Sequence, residues 1–225
     1  MHDELASFGP FFAVAAQDDS RPWQPMAALV DDPAVLAARV DRVREALAAG
    51  GGRDPQQIDL RVAASVAHLG LVARLLAPMI GMAALGRSRT WSLDDLAWQD
   101  ELGGPFPLSV DSEHSVGVPA VEAITEACER FNVSRKVLWG NVGSAANSAA
   151  QQVTRARPEL SEAARAAADD VLADPRVDGG ALRSGPAFRR LSCCLIYQLA
   201  GDRAACCGDC VLTAPAAVQT LDGQC

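Results

Sequence analysis

Apolar residues follow a helical period over much of the chain. Leu36, Val40, Val43 and Leu47 recur at spacings of four, three and four, which places them on one face of a helix. Asp32-Pro33 supplies an N-cap and a proline at the first helical position, and Gly50-Gly51-Gly52 supplies the stop. Asp54-Pro55 repeats the start signal and predicts a long helical stretch towards Ala77, with Pro78 kinking or restarting it. Inside that stretch the run from Leu69 to Gly86 is apolar enough to suggest a membrane span. Arg74 and Pro78 interrupt it and its flanks are amphipathic, so a buried core helix is expected and no membrane span. Residues 1–30 show no such period. They are expected to be irregular, knotted around Phe8, Phe11 and Phe12, with Trp23 and Met26 as further anchors.

Near Thr90 the pattern changes. Trp91-Ser92-Leu93 and Pro107-Leu108-Ser109-Val110 flank a turn at Gly103-Gly104-Pro105, which predicts a short β-hairpin. Helical spacing returns with Val121, Ile124, Cys128 and Phe131. Ser134 then caps a helix that carries Trp139 and extends to about Ala150 or beyond, and another helix is predicted from about Pro158 to Ala173. After Asp174-Pro175 the chain is rich in Gly, Arg and Pro until the cysteines begin. The expected fold is α+β: a mostly helical main body over residues 1–176 with the short hairpin, and a small cysteine-rich C-terminal subdomain over 177–225.

Composition narrows the function classes. With a formal net charge of −8, the chain would repel phosphate backbones, so no nucleic-acid partner is expected. Met1-His2-Asp3-Glu4 lacks the basic start and apolar core of a secretory signal, and a cytoplasmic location is expected. There are seven cysteines, at positions 128, 193, 194, 206, 207, 210 and 225, and six of them fall in the last 33 residues. In a reducing compartment such crowding points to a metal site rather than to a disulfide framework.

Ligand count alone separates iron–sulfur clusters from zinc poorly, since four thiolates serve both. Structural zinc sites generally use two short-spaced pairs. Here Cys207 and Cys210 have that spacing, whereas Cys193 and Cys194 are adjacent, an arrangement that suits a two-iron cluster better than one zinc ion. A Rieske centre needs two histidine ligands, and the three histidines, His2, His68 and His114, all lie far upstream. Cys128 falls on an apolar helix face with Ile124 and Phe131 and is expected in the core, as is His68 with a hydrogen-bonding partner.

A vicinal cysteine pair, a spacer, and then Cys207-Gly208-Asp209-Cys210 resembles the C-terminal motif of the FhuF-like ferric siderophore reductases. Phe8-Gly9-Pro10-Phe11-Phe12, Val62-Ala63-Ala64-Ser65 and Leu138-Trp139-Gly140-Asn141 look like the same family and occur in the same order. The resemblance implies a [2Fe–2S] cluster held by Cys193, Cys194, Cys207 and Cys210. It also implies one-electron reduction of siderophore-bound Fe(III), of the hydroxamate type, with release of Fe(II). The spacer from Cys194 to Cys207 is 12 residues, longer than the usual pattern, and Cys206 is an additional thiol. Cys207 is preferred over Cys206 because it keeps the two-residue gap to Cys210.

Such chemistry asks little of the protein beyond a redox centre and a docking face. Fe(II) is softer than Fe(III) and binds hard oxygen ligands less tightly, so reduction loosens the complex. An electron donor such as a ferredoxin or a flavoprotein reductase is expected, because no Gly-rich dinucleotide fingerprint is present. Arg183, Arg189, Arg190 and Arg203 flank the cysteines, and Arg189 and Arg190 are candidates for tuning the cluster or guiding the substrate. Trp139 and Asn141 are candidate substrate contacts, with an aromatic core position the alternative for Trp139. Tyr197 is expected to shield the cluster. The competing reading is a zinc-stabilised protein that binds a siderophore or a protein partner without turnover.

Overall fold

The computed structural model describes residues 2–17, 22–87, 90–110, 119–200 and 208–212. The N-terminal region is more helical than its pattern suggests. It contains α1 (His2–Ala6) and α2 (Ala28–Asp31), with the two-residue strand β1 (Gln24–Pro25) between them. Phe8 and Phe12 meet edge-to-face at 5.5 Å and seat on a glycine of the long central helix. A Cβ at Gly81 would lie 2.9 Å from the Phe12 ring and 3.0 Å from Leu5, so the aromatic knot fits only because that side chain is missing.

Helix α3 (Pro33–Gly50) starts and stops where the sequence places it, with the Asp32 carboxylate accepting from the Ala34 N–H at 2.8 Å. The second start signal works differently. Asp54-Pro55 opens only a 3₁₀ turn closed by a capping box with Gln57. The long helix α4 (Leu60–Ala84) instead begins at Asp59, whose carboxylate accepts from the Arg61 N–H. Helix α4 continues through Pro78 to Ala84 as one element.

By length and composition α4 could cross a membrane, yet 67% of its most apolar window is buried inside this molecule. Arg74, in the middle of that window, donates to the carbonyls of Phe106 and Phe11, both at 2.8 Å, and of Ala13. It thereby clips the N-terminal segment and the loop before the last strand onto α4. Burial lowers its pKa to about 10, which still leaves the guanidinium charged at neutral pH.

The hairpin exists but is shifted. Its strands are β2 (Leu96–Trp98) and β3 (Leu108–Val110), paired antiparallel, with β1 added on the other edge of β2 in the order β1-β2-β3. Trp91-Ser92-Leu93 is not a strand. Ser92 and Asp95 close a capping box, with the Ser92 N–H donating to the Asp95 carboxylate at 2.8 Å, and this turns the chain into a 3₁₀ turn first.

The remaining helices are α5 (Ala120–Ala127), continued by a 3₁₀ turn through Phe131, α6 (Arg135–Ala156), α7 (Ser161–Leu172) and the single turn α8 (Tyr197–Ala200). Ser134 caps α6 as predicted, accepting from the Val137 N–H at 3.3 Å. The architecture is α+β, mostly helical with one small antiparallel sheet. Helices α4 and α6 form its central pair, flanked by α3, α5 and α7. Residues Leu138 to Ala150 of α6 are buried almost without interruption. Gly143 admits Val177 and Leu172, which would lie 2.8 and 3.1 Å from a Cβ there. Val177 and Phe188, beyond the proposed boundary at 176, belong to the same buried core.

Candidate metal centre

The polypeptide from Asp178 to Cys194 runs along α6 as a strap, fixed at successive points. The Gly185 N–H donates to Asn147 Oδ1 at 2.8 Å, and Phe188 is buried. Arg190 then enters the interior. Its Nη1 donates to Asn141 Oδ1 at 2.8 Å, and its Nη2 to the Val137 carbonyl at 3.0 Å and to Ser192 Oγ at 3.2 Å. Gly140 makes this seat possible. A Cβ there would lie 2.0 Å from Ser192 Oγ and 2.8 Å from the Arg190 guanidinium. The strap ends on α4, where Ser65 Oγ donates to the Cys194 carbonyl at 2.9 Å.

A second short segment meets the first. The Arg190 N–H donates to the Asp209 carbonyl at 3.1 Å, and Ser144 Oγ donates to the Asp209 carboxylate at 2.6 Å. The two cysteine-bearing stretches are therefore joined to each other and to both central helices. Cys194 and Cys210 are buried, and Cys193 is half-buried. The Leu195 N–H donates to Cys193 Sγ and the Leu212 N–H to Cys210 Sγ, both at 3.3 Å.

Burial pushes the Cys193 thiol up, as do the neighbouring Cys194 and Cys210, while the Leu195 N–H and the Arg190 charge pull the other way. Cys207, the fourth expected ligand, lies outside the described residues, as do Cys206, Cys225, Arg203 and His114. Among the described residues, no group of three or more His, Cys, Asp and Glu side chains is gathered to hold a metal ion.

Beneath the cysteines lies a buried polar network. Asn141 Nδ2 donates to the Ser65 carbonyl at 3.0 Å and to Ser65 Oγ at 3.2 Å, and sits 3.4 Å from His68 Nδ1. His68 Nε2 lies 3.1 Å from Thr125 Oγ1, whose hydroxyl donates to the Val121 carbonyl. That leaves Thr125 as the acceptor and sets His68 as the Nε2–H tautomer. Burial, reinforced by the Arg190 charge, lowers the His68 pKa to about 3, so the ring is neutral.

The four candidate residues outside the cysteine set separate. Arg190 is 1% exposed, whereas Arg189 is exposed and, among the described residues, donates only to its neighbour's carbonyl. Asn141 is fully buried as the acceptor that holds Arg190. Trp139 is 6% exposed, with the Arg176 guanidinium 4.0 Å above its ring. Arg176 is itself paired with Asp174 and Glu122. Tyr197 is half-buried at the start of α8. Cys128 is fully buried in the core, its thiol pushed up to about 12 by burial.

The sequence pattern does not single out Thr125 or Ser144, and it holds Ser65 and Asp209 only as motif members, at 62–65 and 207–210, with no role of their own. Ser65 and His68 are polar residues three apart in an otherwise apolar stretch, which was the available signal for the α4 half of the network.

The thiol-rich donor set and the sulfur-directed N–H groups suit a thiolate-bound metal group. Arg190 adds a charge argument. Among the described residues its guanidinium is buried against neutral acceptors only, its Nε has no hydrogen-bond partner, and no carboxylate pairs with it. A buried cation without a counter-charge is costly. Four thiolates around two ferric ions and two sulfides carry net negative charge, and these residues fit such a group. No family model, curated protein or solved structure matches this chain.

Proposed function

We propose that Cys193, Cys194, Cys207 and Cys210 hold a [2Fe–2S] cluster, and that the protein is a ferric-siderophore reductase acting on a hydroxamate complex. The observation that carries the cluster reading is Arg190, a buried guanidinium with no carboxylate beside it among the described residues, next to cysteines whose sulfurs accept backbone N–H groups. When bound, the group would supply one electron at a time to siderophore-bound Fe(III), and Fe(II) would then leave its hard oxygen ligands.

The chain's own residues do the rest. Arg190 offsets negative charge at the thiolates, Asn141 orients Arg190, and Ser65 and Ser144 fix the two cysteine stretches to α4 and α6. The Leu195 and Leu212 N–H groups stabilise the thiolates of Cys193 and Cys210. Residues 177–225 constitute the cluster-binding part and residues 1–176 the body that receives it. The electron donor is a ferredoxin or a flavoprotein reductase, and the setting is cytoplasmic.

The test is an anaerobic visible spectrum with iron and sulfide analysis, followed by mixing the reduced protein with a ferric trihydroxamate. Two irons and two sulfides per chain are expected, with reoxidation of the chromophore as Fe(II) appears. A colourless, zinc-loaded protein would overturn the reading and leave a zinc-stabilised binding protein in its place.

A further inference from the structure

A cavity of about 530 Å³ opens between α4 and α6, within the size range of small-molecule sites. Its walls include Leu69, Gly70 and Ala73 of α4 and Ser144 and Ser148 of α6. At one end it reaches Gly208 and Asp209, the two residues between Cys207 and Cys210. Whatever occupies it therefore touches the cysteine loop itself. Asp209 is the one charged residue among the described lining residues, and no lysine or arginine is among them. Its carboxylate is oriented by Ser144 Oγ.

Gly70 is the second, independent observation. Glycine disfavours the interior of a helix relative to alanine. Gly81, Gly140 and Gly143 are explained by neighbours that fill the space of the missing Cβ. Gly70 has no such neighbour: a Cβ there would meet nothing within 4 Å. Packing among the described residues gives no reason for the glycine. An unfilled wall facing the cavity does.

We propose that this cavity seats the organic shell of the ferric chelate, with Gly70 keeping the wall open and Asp209 favouring uncharged or cationic complexes over polyanionic ones. The proposal rests on the reductase reading for its occupant, a trihydroxamate, and adds where that complex sits. Seated there, the complex lies against Gly208 and Asp209, the residues that precede Cys210.

The experiment uses the iron-loaded protein and a gallium(III) trihydroxamate, which matches the ferric complex in charge and shape but is not reduced. Binding is followed by calorimetry for wild type, Gly70→Ala and Gly70→Leu, with iron content and reduction potential measured alongside. Gly70→Leu should weaken binding at least tenfold and Gly70→Ala less, with cluster content and potential unchanged. A triply anionic gallium tricatecholate should not compete. Wild-type affinity in Gly70→Leu, no uptake of the trihydroxamate by wild type, or full competition by the tricatecholate would each overturn the proposal. A wild-type chain without an iron–sulfur chromophore would instead sink the reductase reading, while loss of gallium-chelate binding in Gly70→Leu would still assign the seat.

Discussion

Arg190 is the residue on which the electrostatics of the site turn. Next to the proposed anionic cluster its charge would favour the reduced, more negative form, so removing it should lower the reduction potential. Arg190→Gln is expected to shift the one-electron equilibrium on the order of tenfold, about 59 mV, at unchanged iron content. Arg190→Lys, which keeps the charge but loses the fork to Asn141 and Val137, should retain most of the wild-type value. Potentiometry with equal values for wild type and Arg190→Gln would remove Arg190 from the redox argument. The adjacent Arg189, exposed and donating to the Phe188 carbonyl, should matter much less when replaced.

His68 makes a separate statement about pH. Folded, the ring takes up a proton only near pH 3, because burial and Arg190 oppose its charge; unfolded, it does so near 6.5. Between those values the unfolded chain binds more protons, so stability present in full above 6.5 is lost as pH falls towards 3. Urea midpoints at pH 7 and pH 5 should therefore differ more for wild type than for His68→Gln. An equal drop in both would assign the pH effect to other groups.

At the scale of elements, the seat of the strap on α6 depends on a missing side chain. A methyl group at position 140 would overlap Ser192 Oγ and crowd the Arg190 guanidinium. Gly140→Ala should thus cost on the order of 1–3 kcal/mol despite its better helix propensity. The expected signs are a lower melting temperature and faster loss of iron under a chelator. Gly70→Ala should go the other way, gaining about 1 kcal/mol of helix propensity with no clash. Two alanine substitutions on the two central helices are thereby predicted to have opposite signs. The helix starts follow the same local logic: Asp32 and Ser134 cap where expected, whereas Asp54 closes a 3₁₀ turn because Gln57 completes its capping box.

For the whole molecule, the pairing of α4 with α6 organises everything else. Helix α4 looks apolar enough for a membrane, but its partners α3, α5, α6 and α7 cover most of that surface, and Arg74 satisfies three carbonyls from its middle. The three upstream motifs, at residues 8–12, 62–65 and 138–141, also acquire distinct jobs. Phe8 and Phe12 seat on Gly81. Ser65, Gly140 and Asn141, from two separate helices, converge on the strap that carries Cys193 and Cys194.

The sequence by itself determined the helical period, most helix ends and the crowding of thiols near the C-terminus, because these depend on spacing and on local capping. It also marked Cys128 and His68 as core residues, since both lie in apolar helical runs. Only the tertiary structure decided the rest. It separated Arg189 from Arg190, which are equivalent as letters but lie on opposite sides of the strap's backbone, one in solvent and one inside. It moved the first hairpin strand to Leu96–Trp98, where pairing with β3 and β1 outweighs the local pattern at Trp91. It opened a cavity beside Gly70 and brought Asp209 to its end. Such features arise from contacts between residues far apart in the chain, and periodicity along one segment carries no information about what packs against it.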